Sequence, residues 1–226
     1  MSAPTTWDWA ALGKHPVVKD YIRIGKKTSI ADTFSRWVEE GYTRVSGNTT
    51  LHSWRFFARG TQPEELVCGL LRDSFDGVGR PFPFLIVGTG RLEGWEKHWV
   101  YIPEICDGVW ERMEFLCTKR VFDLDELKAD ISHLPSPAFN KQWPSAAVSD
   151  VDRSLPESQE GMLAIGLKGA GDLHSEIMQG LMALKAHSRS VPDAIFIGGP
   201  LEQSFLVAFT RQINAADFLR LWTIGI

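Results

Sequence analysis

Two runs in the middle of the chain, residues 67–71 and 84–87, are apolar at successive positions instead of alternating. A strand with that pattern buries both faces, so its sheet needs cover on each side. Between the runs lies residues 72–83, about a dozen positions rich in charge, glycine and proline. Connections of that length between paired strands are uncommon and often functional.

The same kind of pattern assigns the remaining elements. Residues 7–12 are short and aromatic and predict an edge strand, and residues 17–27 lack a clean period and are expected to be irregular or extended. Ile30, Phe34, Trp37, Val38, Tyr42 and Val45 recur at helical spacing, with Ser29 placed to accept the first backbone donors and Gly47 just past the end. Residues 54–58 predict a strand. Ile102, Ile105, Val109, Met113 and Leu116 share one face of a second helix with Pro103 in its first turn, and Asp123 with Glu126 starts a third that turns Leu127 and Ile131 inward. Further on come a strand at 162–167, a helix at 173–184, strands at 194–198 and 205–209, and a last helix capped by Asn214 that carries Phe218, Leu219 and Trp222.

Together these predict a mixed, largely antiparallel sheet with helices on both faces, a three-layer α/β/α arrangement. Residues 1–134 form an α/β region. Residues 135–160, with four prolines among many small polar residues, form a connector, and residues 161–226 complete the same domain.

Composition narrows the function classes. The 226 residues are 44% hydrophobic and 23% charged, as in a soluble globular protein, and the net charge of −4 gives no global pull toward nucleic acid or anionic lipid. The N-terminal residues lack a basic region followed by an apolar run, and no stretch approaches the ~20 apolar residues of a membrane span, so a cytoplasmic protein without membrane insertion is expected. Cys68, Cys106 and Cys117 form no CxxC pair and are expected as reduced core residues.

Catalytic and cofactor motifs fail on inspection. Gly13-Lys14 and Gly25-Lys26 lack the first glycine and the following Ser/Thr of a phosphate loop. Gly166, Gly169 and Gly171 run in the reverse order of the dinucleotide fingerprint, and Ser74 has Arg72 where a nucleophile elbow needs glycine. Six histidines lie scattered without the close pairs that bind zinc on a helix, and nine tryptophans are accompanied by no basic face. No cofactor or metal is implied.

The 72–83 loop itself reads as stiff. Asp76-Gly77 favours a turn, Gly79 can adopt positive φ, and Pro81 and Pro83 fix φ. Asp73, Ser74, Asp76 and Arg80 can satisfy one another and the local backbone, or they can present a preorganised polar contact surface. Trp54 is expected in the core. Arg55, on the other face of the strand, is expected to pair with a carboxylate, with Asp20, Asp73 and Asp76 as candidates.

Several segments in fixed order resemble the TagF family, which is associated with bacterial type VI secretion. That family shows a G-K-x-P…D-[FY] opening, a W-R-F strand and a [PR]-S-x-D-x-V-G-R-x-F-P block. The matching residues here are Gly13, Lys14, Pro16, Asp20, Tyr21, Trp54, Arg55, Phe56, Ser74, Asp76, Val78, Gly79, Arg80, Phe82 and Pro83. The resemblance implies a non-catalytic cytoplasmic regulator that represses assembly of the secretion apparatus after translation. It also implies a protein partner, a forkhead-associated scaffold protein linked to a phosphatase/kinase pathway. Two other readings stand beside it: a small hydrolase using Asp73, Asp76 and Arg80, and a structural component of the same apparatus. A hydrolase needs those three side chains to converge in a pocket with a nucleophile, whereas a binding module pairs them internally beside exposed apolar surface.

Overall fold

The computed structural model describes residues 7–45, 50–119, 123–137, 143, 155–168, 172–188 and 190–225. Strands from the whole described length enter one eight-stranded sheet. In chain order they are β1 (Asp8–Lys14), β2 (Tyr21–Gly25), β3 (His52–Arg59), β4 (Glu65–Arg72), β5 (Phe84–Arg91), β6 (Met162–Leu167), β7 (Ala194–Pro200) and β8 (Ser204–Phe209). Their order across the sheet is β2-β1-β5-β4-β3-β7-β8-β6. Every pairing is antiparallel, so the largely antiparallel sheet expected is antiparallel throughout.

Successive side chains alternate between two cores, as the pleat requires. Trp9 and Ala11 of β1, Leu66, Cys68 and Leu70 of β4, and Ile195 and Ile197 of β7 face one side. Ala10 and Leu12, Val67 and Leu71, and Ala194 and Phe196 face the other. The first side is covered by α2 (Ile102–Thr118), α3 (Leu124–Ser132) and α4 (Leu173–His187), the second by α1 (Ser29–Tyr42) and α5 (Ala215–Thr223). The unbroken apolar runs of β4 and β5 are thus buried from both sides, in the middle of three layers.

Local chemistry sets the helix ends. Asp123 and Asn214 accept the first backbone donors of α3 and α5, and Asp217 returns the bond to the Asn214 N–H in a reciprocal capping box. The cap of α1 is Thr28 and not Ser29: the Thr28 hydroxyl accepts from the Ala31 N–H at 3.1 Å, and Ser29 is already helical. Gly47 lies outside the described residues, as do 138–142 and 144–154 of the expected connector.

Two further expectations change. β1 is an interior strand and not the expected edge, because part of the segment expected to be irregular or extended is extended, forms β2 and pairs along its outer side. Within β2, Ile22 and Ile24 are buried while Tyr21, Arg23 and Gly25 face solvent, a half-buried alternation suited to an edge.

Arg55 finds its carboxylate on α2 and not among Asp20, Asp73 and Asp76. Its guanidinium donates to both oxygens of Glu114 at 2.7 and 2.9 Å and to Asp107 at 3.0 Å, and it lies over the Trp110 ring. Arg55 sits on the α2 face in mid-strand, out of reach of the loop at the strand ends. The Glu114 bonds raise the Arg55 pKa against the opposing effect of burial. Replacing Arg55 by alanine is expected to cost about 1–2 kcal/mol in denaturant unfolding, since the pair is bidentate and only partly screened. An unchanged midpoint would show that this contact contributes nothing to stability.

Candidate functional site

The 72–83 connection folds into a small hairpin of its own. Phe75 and Pro81 form an isolated bridge, the Phe82 N–H donates to the Ser74 carbonyl, and the Asp76 N–H donates to the Arg80 carbonyl. At the tip, the Gly79 N–H donates to the Asp76 carbonyl and Gly79 takes φ of +85°.

Asp76 is the centre of this turn and is completely buried. One carboxylate oxygen accepts from the backbone N–H groups of Val78 and Arg80 at 3.1 and 3.0 Å. The other meets Arg80 Nε at 2.7 Å and Lys14 Nζ at 3.3 Å. Burial alone would push its pKa up. The Arg80 backbone and guanidinium, the Val78 N–H and Lys14 overcome that and hold it well below the usual carboxylate range.

The hairpin is strapped to the turn that follows β1. Arg80 donates to the Lys19 carbonyl and the Gly77 N–H donates to the Val18 carbonyl. A Cβ on Gly77 would meet the Pro16 carbonyl oxygen as well. Gly13 makes the approach possible: it pairs with Phe84 at φ of +115°, and a methyl group there would collide with the Pro83 carbonyl. Gly13→Ala is therefore expected to lower stability by at least about 2 kcal/mol, through a forbidden backbone conformation and a clash with main chain that cannot swing away. Thermal melting checks it, and a midpoint near that of the wild type would contradict the close approach.

Gly13, Lys14, Pro16, Asp76, Gly79, Arg80 and Pro83 thus meet in one clasp. Asp73 and Ser74 stand at its base, where Asp73 has a different task. It accepts from the His52 N–H at 2.9 Å and from Trp222 Nε1 at 3.0 Å, and its backbone N–H donates to the His52 carbonyl, tying β3, β4 and α5 together. Trp54 and Arg55 lie elsewhere, on opposite faces of β3. Among the described residues, exposed Asp20 accepts a local bond from the Tyr21 N–H at 2.8 Å and no other. Gly169 and Gly171 of the glycine series lie outside the described residues.

Sequence reasoning placed Trp222 on the last helix but did not connect it or His52 with Asp73; the two complete the Asp73 tie and stack with ring centroids 5.4 Å apart. Nor did it find Arg211 and buried Asp217, paired at 2.6 and 2.8 Å under the cap of α5. Local spacing carried a signal only for the second pair, through Asn214 three residues before Asp217.

Beside the clasp opens a cleft of about 500 Å³ between the end of β4 and the C-terminus of α2. His15, Arg72, Asp73, Ser74, Cys117 and Lys119 lie in its wall. Burial holds the His15 imidazole below its ordinary pKa against the Leu116 carbonyl, which leaves it neutral at pH 7. Burial also pushes the Cys117 thiol up to about 12 despite nearby Arg72, so it supplies no thiolate. Above the cleft, Phe75 is 51% exposed, and Val78 at the loop tip is 56% exposed. Among the described residues, no group of three or more His, Cys, Asp and Glu side chains could hold a metal ion. Among them too, no helix is long and apolar enough to cross a membrane.

Fold and site together define a three-layer α/β protein that holds a rigid, apolar-tipped loop on an internal ionic clasp. The chain belongs to the TagF family: residues 10–134, more than half its length, match the model described as the TagF N-terminal domain, type VI secretion system-associated. The fold is similar to the crystal structure of PA0076 from Pseudomonas aeruginosa PAO1, with a TM-score of 0.58 at 19% identity over 95% of this chain and 94% of that one. No curated relative matches the chain.

Proposed function

We propose that this chain is a cytoplasmic regulator of a type VI secretion system that represses assembly by binding a protein partner, without catalysis. The observation that carries this reading is the use of the loop's charges. Asp76 and Arg80 are consumed in the clasp and Asp73 in the β3–β4–α5 tie, while Phe75 and Val78 are held in solvent by the same bonds. Apolar side chains kept exposed on a stiff loop suit protein recognition, because little conformational entropy is lost on contact. The alternative hydrolase would need Asp73, Asp76 and Arg80 facing one pocket with a nucleophile, an arrangement these internal pairings do not make. A forkhead-associated scaffold of the secretion system, within its phosphatase/kinase pathway, is the partner we assign.

The test is the double variant Phe75→Ser with Val78→Ser, expressed in a bacterium with an active type VI system. It is expected to melt like the wild type, to lose co-purification of the scaffold protein, and to lose repression of secretion. Full repression by a folded double variant would overturn the reading.

A further inference from the structure

We propose that the end of the sheet carrying the 72–83 loop is a self-association face, occupied by a second copy of this chain. Val78 of each copy enters the cleft under Phe75 of the other.

Apolar exposure in this molecule is one-sided. β1, β4, β6 and β7 finish at the loop end of the sheet, and β2, β3, β5 and β8 begin there. Among the described residues seven large apolar side chains are exposed, and all seven belong to this end. Tyr21, Leu51, Phe75, Val78 and Leu201 stand at strand ends or in the turns between strands. Leu173 opens α4 a few residues beyond β6, and Phe115 lies close to the α2 C-terminus that lines the cleft. Leu201, the most exposed at 72%, donates its N–H to the Leu51 carbonyl, which carries the apolar surface from the β7–β8 turn to the cleft. The opposite end has none of the seven. It is closed by ion pairs of Asp8 with Lys26, Glu64 with Arg91 and Glu160 with Arg220.

Shape and charge select the occupant. Pro16, Val17, Leu51 and Phe75 give the cleft its apolar wall, and its volume of about 500 Å³ leaves room for an aliphatic side chain. Exposed Val78 stands on the adjoining clasped hairpin. An apolar knob and an apolar hollow side by side are self-complementary about a two-fold axis between them, because each copy gives what it receives. The charges agree. Asp76 answers Lys14 and Arg80, and Glu126 with Asp130 answers Lys119. Arg72 shares the cleft wall with Asp73, Lys168 shares another pocket wall with Glu202, and Lys19 is followed by Asp20. With neither sign in excess, the face draws no strongly charged partner and does not repel its own copy.

The area also fits. From β2 to β8 the sheet order has six strand spacings, or about 29 Å, and the sheet with its α2 layer is about 20 Å deep. A face of about 600 Å² per copy lies at the lower end of specific interfaces, so the dimer is weak, with a dissociation constant of roughly 1–100 μM. The chain is monomeric in dilute solution, and the dimer withholds both loop tips from other partners.

Sedimentation equilibrium of the full chain between about 1 and 500 μM tests this. The average mass is expected to rise from that of the monomer and to level off at twice that value. Leu51→Asn in the cleft wall and Val78→Asn at the loop tip each set an amide against apolar surface, and each is expected to weaken association about ten-fold. Arg59→Gln, at the opposite end of β3, should associate like the wild type. Both asparagine positions are exposed, so melting of the dilute variants should match the wild type; if one fails to fold, the other decides. A monomer mass at every concentration, growth past the dimer without a plateau, or undiminished association of the folded asparagine variants would each overturn the proposal. Such a failure leaves the regulatory reading in place, since that is decided by repression and scaffold capture with the loop-tip variant.

Discussion

Trp54→Ala is expected to be among the most destabilising single substitutions in this protein, costing about 3–5 kcal/mol. The side chain is fully buried in the layer between the sheet and helices α1 and α5. It stands opposite Leu71 on one neighbouring strand and Gly198 on the other, edge-on to Phe196 with ring centroids 6.4 Å apart. The surrounding wall is built from other large rings on regular strands, so it cannot collapse into the space left behind. For a domain of this size the loss corresponds to a melting midpoint lower by roughly 6–20 °C. A midpoint within a degree or two of the wild type would remove Trp54 from the core. Among the described residues its indole N–H has no hydrogen-bond partner, so stability should depend on the ring and not on the nitrogen. Trp54→Phe, which keeps an aromatic ring and deletes the unsatisfied donor, should cost less than about 1.5 kcal/mol.

Residues such as Trp54 were legible because burial writes itself locally. The two-sided strands β4 and β5, the alternating role of Trp54 and Arg55, and the capped starts of α3 and α5 each follow from a few neighbouring positions. β2 was harder: its Ile22 and Ile24 alternate correctly, but the run is short and bordered by lysines, and only pairing with β1 makes it a strand. The partner of Arg55 was beyond reach for a related reason. Which carboxylate lies over a mid-strand arginine is decided by the register of α2 on the sheet, and no spacing near residue 55 encodes it. The clasp fell between these cases. The turn chemistry of Asp76, Gly79 and Arg80 predicts an internal pair, whereas the arrival of Lys14 and of the Lys19 carbonyl depends on β1 lying beside β5.

Asp76 provides the second large effect, with an asymmetry between its partners. Asp76→Asn removes the one buried anion that serves two cations and two backbone donors, although the Arg80 side chain itself reaches solvent. Its melting midpoint is expected to fall by roughly 10 °C. Arg80→Gln should fall by much less, because Lys14 and both N–H groups still satisfy the carboxylate. The double variant should lie close to Asp76→Asn alone, since both substitutions break the same contact. Acid adds an independent signature. The folded carboxyl is held below its unfolded value, so its stabilisation is fully present above about pH 4 and is lost as pH falls toward the folded value. The wild type should therefore lose stability on acidification more steeply than Asp76→Asn. Part of the acid limb should remain, because Asp217 is also depressed: burial opposes the shift, and Arg211 with the Asn214 N–H outweighs it. If the clasp shapes the surface bearing Phe75 and Val78, the double variant loses repression in proportion to its loss of folding. Lost repression with melting and partner binding both unchanged would instead assign Asp76 a chemical role, and with it an enzyme.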